Sequence, residues 1–250
     1  MLREKLIDKR IGDNKKFRWR SHEVSRTEGL SDAVFGFAIT LLVVSLEVPR
    51  TFAELMYAMR GFGAFAICFT LLFMVWYNQY KFFRRYNLQD NITILLNGIL
   101  LFVVLFYVYP LKFVFTLVVN MFTGGGGATR LPNGTVEHMV ENVDQIAKIM
   151  IIFGAGYIAV FGVFVLLYWH AYRRRAMLDL NELEVFDTRE DIQESALNVG
   201  IGSVSIAIAA IGGGRFSGVA GMTYMLCPVV LTAHGMLMGR RRRTIEDRLE

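Results

Sequence analysis

Long apolar runs, separated by short charged segments, dominate the sequence. A helix needs about 20 mostly apolar residues to cross about 30 Å of hydrocarbon, and six runs are close to this length. The short alternating strands typical of a membrane β-barrel are not part of the pattern. We therefore predict an all-α polytopic membrane protein with six transmembrane helices per subunit, at residues 31–48, 61–80, 92–119, 146–169, 195–213 and 217–238.

The same pattern predicts one membrane domain and no separate soluble module. This domain covers residues 30–238, after a basic N-terminal segment at 1–29 and before a basic tail at 239–250. The N-terminal segment has no continuous apolar core, so it is not typical of a signal peptide.

The basic residues predict the orientation. With six spans, 21 of the 27 lysines and arginines fall on one side of the membrane. Because basic residues are enriched in cytoplasmic loops, we expect a multi-pass protein of the cell (plasma or inner) membrane with both termini in the cytoplasm. The net charge of +5 then reflects topology and contact with membrane lipids, and we expect no nucleic acid as a partner.

Catalytic chemistry is not indicated by the residue pattern. The four histidines have no metal-ligand spacing, and no histidine and carboxylate suited to acid–base work share one membrane depth. We predict that the protein is not an enzyme, with no cofactor, no catalytic residue and no metal site.

A polar cluster opens the first apolar run. Arg26, Ser31 and Asp32 precede a segment, residues 33–46, in which only Thr40 and Ser45 are not apolar. A charge inside a bilayer costs about 2.5–3.5 kcal/mol even on lenient scales, so Asp32 should be paired or face water. The cluster indicates a structured site on a permeation path. Alternatively, Ser31 is a plain N-cap and Asp32 is favoured by the helix dipole.

One helical face of this run carries a distinctive stripe. Counting from Asp32, the helical period places Phe37, Thr40, Leu41 and Val44 on the same side. The stripe has a bulky ring, then a hydroxyl, then branched aliphatics. The alternative is that Thr40 donates to the Gly36 carbonyl and the stripe packs against a neighbour.

These residues resemble the first helix of the transmembrane protein 175 family of potassium channels. The family signature is Arg-x-x-x-Phe-Ser-Asp at the start of the first helix. The resemblance extends into the second and third runs and is strongest over residues 26–115. Its matching positions are Arg26, Leu30, Ser31, Asp32, Thr40, Trp76, Tyr77, Asn78 and Asn97.

The resemblance implies a potassium-selective or potassium-preferring channel, a homotetramer whose first helices line a central pore. The permeating potassium ion is then the only ion bound. By analogy, Phe37, Leu41 and Val44 form the pore constriction or gate, and Thr40 favours potassium. A structural polar network would contain Arg26, Ser31, Asp32, Trp76, Asn78, Gln79 and Asn97.

Three departures from the family pattern change these expectations. Leu30 stands where phenylalanine is usual, and Phe37 stands where leucine or isoleucine is usual. Gln79 and Tyr80 replace a pair of histidines that is usual in prokaryotic members, so this chain must use Gln79 or another residue where the family uses histidine. Two alternatives stay open: a cation- or proton-coupled secondary transporter, which normally shows mid-span carboxylates or broken helices, and a proton leak pathway through a hydrated hydrophobic pore.

Overall fold

The computed structural model describes residues 17–21, 23–44, 51–52, 55–56, 59, 61–122, 128–130 and 136–249. Three expectations fall outside these residues: most of the basic N-terminal segment, positions 45–48 of the first span and the side chain of Val44.

Helices make up nearly all of the described chain, as the sequence predicts. A two-stranded antiparallel ribbon in the connection after the third long helix was not predicted; it pairs Ala128 with His138. The elements are α1 (Arg26–Val44), α2 (Phe62–Tyr86), α3 (Asn91–Phe122), β1 (Ala128–Arg130), β2 (Val136–His138), α4 (Val143–Arg173), α5 (Glu182–Gly212), a 3-10 turn (Gly213–Phe216), α6 (Ser217–Met222), a second 3-10 turn (Thr223–Met225) and α7 (Leu226–Leu249).

Several of these helices are suited to a membrane. Four helical stretches of the described residues are long and apolar enough to cross one: α2, α3, α4 and the continuous run 182–248. Several apolar spanning helices are thus confirmed, although six separate spans are not. The predicted fifth and sixth spans lie within the last run, which folds back so that α5 packs against α7 and the Ser205 hydroxyl donates to the Ala220 carbonyl (2.8 Å).

The first helix begins earlier than the apolar run. The Ser25 hydroxyl accepts from the Glu28 amide (3.2 Å), while the Glu28 carboxylate accepts from the Ser25 amide (2.8 Å). This reciprocal pair is a capping box, and it starts α1 at Arg26. The alternative that Ser31 caps the helix is therefore wrong, because Ser31 lies inside it and donates to the Thr27 carbonyl (2.8 Å).

The helices share one apolar core, and α1 contributes only one face to it. The α4–α5 pair has the most extensive contact, while α3 packs on α4 and α1 packs on α2 and α3. From α1, Phe35, Ala38 and Leu42 enter the core. Their spacing of three and four residues follows the helical period, so the opposite face of α1 points away from the bundle.

Buried ion pairs tie the N-terminal segment to the start of α5. Glu184 is 1% exposed, and its carboxylate accepts from the guanidinium groups of Arg18 (2.9 Å) and Arg20 (2.7 Å). It also completes a capping box with Asn181 at the start of α5. Removing both arginines would leave the buried carboxylate of Glu184 without compensation. These contacts hold the segment before α1 against the rest of the bundle.

Asp90, immediately before α3, connects that helix to the end of α4. Its carboxylate accepts from the Thr93 hydroxyl (2.6 Å) and lies 2.8 Å from Nε2 of His170. Burial alone would raise the pKa of Asp90, but the hydrogen bonds from Thr93 and His170 and the nearby charge of Arg174 outweigh it. The net result is a pKa below the ordinary value.

Asp90 should therefore contribute to stability in a pH-dependent way. Because the folded state favours the ionised carboxylate, the contribution is present above the ordinary aspartate pKa of about 3.9 and is lost as the pH falls through the lower folded value. We expect Asp90→Asn to lower the melting temperature at neutral pH and to flatten its fall below about pH 4. Asp144→Asn, in the exposed first turn of α4, is the matched control and should keep the wild-type profile. An unaltered acid profile in Asp90→Asn would contradict the assignment.

Candidate functional site

The stripe predicted on the first helix lies on the face of α1 that the core does not cover. Phe37 is 57% exposed, whereas Phe35, two residues earlier, is 2% exposed. Thr40 is also exposed and Leu41 is half-buried. The alternative in which the stripe packs against a helix of the same chain is therefore wrong for Phe37 and Thr40. An apolar ring and a hydroxyl stand together on an uncovered helix face.

The hydroxyl of Thr40 makes the predicted hydrogen bond to its own helix. Its Oγ1 donates to the Gly36 carbonyl at 2.9 Å. This bond uses the hydroxyl proton and fixes the side-chain rotamer, while the oxygen keeps lone pairs that can accept or coordinate a cation. The local bond and a role in contacting an ion are thus compatible.

A chain of buried polar side chains joins α1, α2 and α3. Gln79 donates from Nε2 to Oδ1 of Asn97 (2.8 Å), and Asn97 donates from Nδ2 to the Ser31 hydroxyl (2.9 Å). Ser31 is 0% exposed, and Gln79 and Asn97 are also buried. A buried polar group without a partner costs about 1–3 kcal/mol, so each member of this chain depends on the next.

A second contact lies at the exposed edge of the same cluster. The Trp76 indole donates from Nε1 to Oδ1 of Asp32 at 2.7 Å, which links α2 to α1. The structure thus brings together five of the seven residues predicted for the network. In the described part of the chain, Arg26 is exposed and Asn78 half-buried, and neither side chain bonds to the other five.

Lys112 is a polar contact of α1 that the sequence analysis missed. Its ammonium group donates to the Leu42 carbonyl (2.9 Å), in the last turn of the described part of α1. A cation near the carbonyl end of a helix is favoured by the helix dipole. The available signal was a lysine inside the apolar run 92–119, since charged residues within such runs rarely lack a partner.

Apolar spanning helices, one uncovered helix face and a buried polar network define a polytopic α-helical membrane protein with a site along α1. Within the described residues, no three His, Cys, Asp or Glu side chains come together as a metal site. The family model described as "Endosomal/lysosomal potassium channel TMEM175" matches residues 26–107, which contain α1, α2 and the first half of α3.

Similar proteins extend this match over the whole chain. A protein of Marivirga tractuosa named "Potassium channel" is 38% identical over 248 residues, covering 97% of this chain and 99% of its own. The chain therefore belongs to the TMEM175 family.

Solved structures are similar as well. The crystal structure of the potassium channel MtTMEM175, in a threonine-to-alanine variant bound to a nanobody–MBP fusion, has a TM-score of 0.78 and 38% identity. It covers 92% of this chain and 99% of its own. A TMEM175 homologue from Chamaesiphon minutus, described as a lysosomal potassium-selective channel, has a TM-score of 0.54 at 20% identity. It covers 87% and 99% of the two chains and shows the fold alone.

Proposed function

We propose that this protein is a potassium channel whose pore is lined by the uncovered face of α1. The observation that carries the proposal is the contrast along this helix: Phe35 lies in the core, while Phe37 and Thr40 face outward. Membership of the TMEM175 family supports the choice of ion.

A pore along α1 requires several copies of the chain, and we propose a homotetramer. A single helix face cannot enclose a water-filled path. In a monomer, Asp32 and Thr40 would meet lipid on this face, where polar side chains are costly. Four copies of the same face around one axis would instead place these groups at water and potassium ions, and would cover the exposed ring of Phe37.

We further propose six membrane crossings per subunit, formed by α1 to α5 and the α6–α7 run, in the cell membrane with both termini in the cytoplasm. Two features support this. α1 contains most of the apolar run 33–46, and α5 packs against α7, as two consecutive crossings would. The distribution of basic residues supports the orientation.

Within the pore, we assign the constriction to Phe37, Leu41 and Val44 and the potassium preference to Thr40. An apolar ring gates by dewetting, because an ion that enters must lose water without a polar replacement. The hydroxyl of Thr40 lies one turn beyond Phe37 on the same exposed face. The permeating potassium ion is the only bound species that this mechanism requires.

The buried chain Gln79–Asn97–Ser31 is proposed to hold α1 in position. Three helices meet at these side chains, so a shift of α1 along its axis breaks at least one hydrogen bond. Asp32 with Trp76 supports the same end of the helix. In this chain Gln79 serves in place of the family's usual histidine, and its amide does not titrate.

This role predicts that substitution of Asn97 lowers stability much more than substitution of Asn78. Asn97→Ala removes the central member of the chain and leaves the buried Nε2 of Gln79 without its acceptor, at a cost of about 1–3 kcal/mol. Ser31 loses the hydrogen bond from Asn97 but keeps its own bond to the Thr27 carbonyl. Asn78→Ala is the matched control on α2, because Asn78 does not bond to this chain. We expect a clear drop in melting temperature and oligomer yield for Asn97→Ala only. Equal losses in the two variants would contradict the role.

Recording from the purified protein in planar bilayers tests the proposed function. With potassium on one side and sodium on the other, we expect unitary current steps and a reversal potential that favours potassium. Saturable flux without unitary steps would indicate the transporter. A reversal potential that follows only the proton gradient would indicate a proton leak. Either result would overturn the potassium channel.

A further inference from the structure

An apolar groove runs between α5 and α7, separate from the uncovered face of α1. Its volume is about 610 Å³, and its walls include Leu197, Gly200 and Val204 from α5 and Leu226 and Met238 from α7. Val204 and Leu226 are about half-exposed. In a membrane, a groove with such walls would be filled by an apolar chain.

The length of the groove matches one leaflet of a bilayer. Its lining extends from Gln193 to Val204 on α5 and from Leu226 to Met238 on α7. At 1.5 Å per residue these stretches are roughly 16–18 Å long. Half of a hydrocarbon core of about 30 Å is about 15 Å. The groove is therefore long enough for one acyl chain that extends from the membrane surface to the middle of the bilayer.

The two ends of the groove differ in polarity. At one end lie Val204, Leu226 and Thr223, whose hydroxyl donates to the Ala220 carbonyl (2.7 Å), whereas at the other His234 lies with Nε2 at 3.2 Å from Oε1 of Gln193. A lipid in the groove would therefore direct its polar headgroup towards His234 and its chain towards Val204.

An arginine cluster continues directly from the polar end. One turn beyond the groove, α7 carries Arg240, Arg241 and Arg243, all exposed. Within the described residues, these three make no ion pair of 4.0 Å or less, whereas Arg242 pairs with Asp187 (2.8 Å). Arg241, seven residues after His234, lies on the same side of α7, where it can donate two parallel hydrogen bonds to a phosphate, while Arg240 and Arg243 lie on other faces of the helix and add positive charge nearby.

We propose that this groove binds one anionic phospholipid of the cytoplasmic leaflet, with an acyl chain between α5 and α7 and the phosphate at Arg241, where Arg240 and Arg243 add to the positive charge. The groove binds the acyl chain, and the arginines favour a lipid with a negatively charged headgroup. The site is independent of ion conduction and would stabilise the packing of the last two helical segments.

The experiment measures lipid retention by the purified full-length oligomer, with phosphatidylglycerol and phosphatidylcholine as probes in native mass spectrometry and thermal unfolding. Gly200→Leu fills the groove, since a Cβ at Gly200 meets nothing within 4 Å. Gly162→Leu on α4, where a Cβ also meets nothing within 4 Å, is the matched control. We expect the first variant to lose retention of both lipids and the second to keep it.

The headgroup is tested separately, by changing Arg240, Arg241 and Arg243 together to glutamine or together to lysine. Each basic residue near an anionic surface contributes enough for several-fold binding, so the glutamine variant should lose about tenfold or more of its preference for phosphatidylglycerol. The lysine variant should keep most of it. Unchanged retention in Gly200→Leu, or equal retention of the two lipids by the wild type, would overturn the proposal. Dissociation of the oligomer by Gly200→Leu with unchanged lipid retention would also overturn it, in favour of a second copy in the groove.

Discussion

Phe37→Ala should raise potassium flux about tenfold or more in reconstituted vesicles. In the proposed tetramer, four Phe37 rings form the narrowest and driest part of the pore. Replacing them with methyl groups widens and hydrates this region, which lowers the barrier to an ion that must otherwise lose water. Phe37→Leu keeps a branched apolar side chain at the site and should conduct like the wild type. The measurement is flux per oligomer, determined together with the melting temperature.

Phe35 provides a control two residues away on the same helix. It is buried in the core while Phe37 is exposed. Phe35→Ala should cost about 3–5 kcal/mol of stability through the cavity that it leaves. It should not raise flux per folded oligomer, and Phe35→Leu offers a milder version that folds more readily. If Phe37→Ala destabilised the protein as Phe35→Ala does and left flux unchanged, its ring would be a packing element and the gate would be excluded.

The residues that share a helix face with Phe37 could be predicted from sequence because a helix has a fixed period. Once α1 is helical, Phe37 and Thr40 must share a face, and Phe35 must lie on another. The sequence alone left open which of these faces the bundle covers. That depends on the packing of α2 and α3, which brings Phe35 and Leu42 into the core. The fold resolves this choice by burying the face opposite the stripe.

The start of α1 was also readable from sequence, although hydropathy places it five residues too late, at residue 31 rather than Arg26. Ser25 and Glu28 form the Ser-x-x-Glu pattern of a capping box. Hydropathy locates the apolar part of a helix, but a helix can continue beyond the membrane. The polar cluster is consequently part of the second turn of α1, where side chains from α2 and α3 can reach it.

Contacts between distant segments were the least predictable part of the site. The partners of Asn97 come from two other helices, and Glu184 meets Arg18 and Arg20 more than 160 residues away. Such pairs depend on the three-dimensional path of the chain and leave no periodic signal. The sequence does show which residues need such contacts, because polar side chains within apolar runs require partners. The structure shows which residues those partners are.

Thr40→Ala should lower the preference for potassium over sodium while conduction continues. Thr40 lies on the exposed face of α1, and its hydroxyl donates to the Gly36 carbonyl at 2.9 Å. In the proposed pore, four such oxygens contact the ion as it passes. If this contact is worth about 1 kcal/mol, its loss reduces the permeability ratio about fivefold. For a monovalent ion, that moves the bi-ionic reversal potential by about 40 mV.

Thr70 is the matched control for this prediction. It is an exposed threonine on α2, and its hydroxyl makes the same bond, to the Ala66 carbonyl at 2.8 Å. Thr70→Ala thus removes an equivalent hydroxyl, with the same local helix bond, from a helix that is not proposed to line the pore. It should leave the reversal potential at the wild-type value. Because the two substitutions are chemically identical, a shift in Thr40→Ala alone ties selectivity to the position of the hydroxyl on α1. An unchanged reversal potential in Thr40→Ala would exclude that role and leave the hydroxyl only its bond to Gly36.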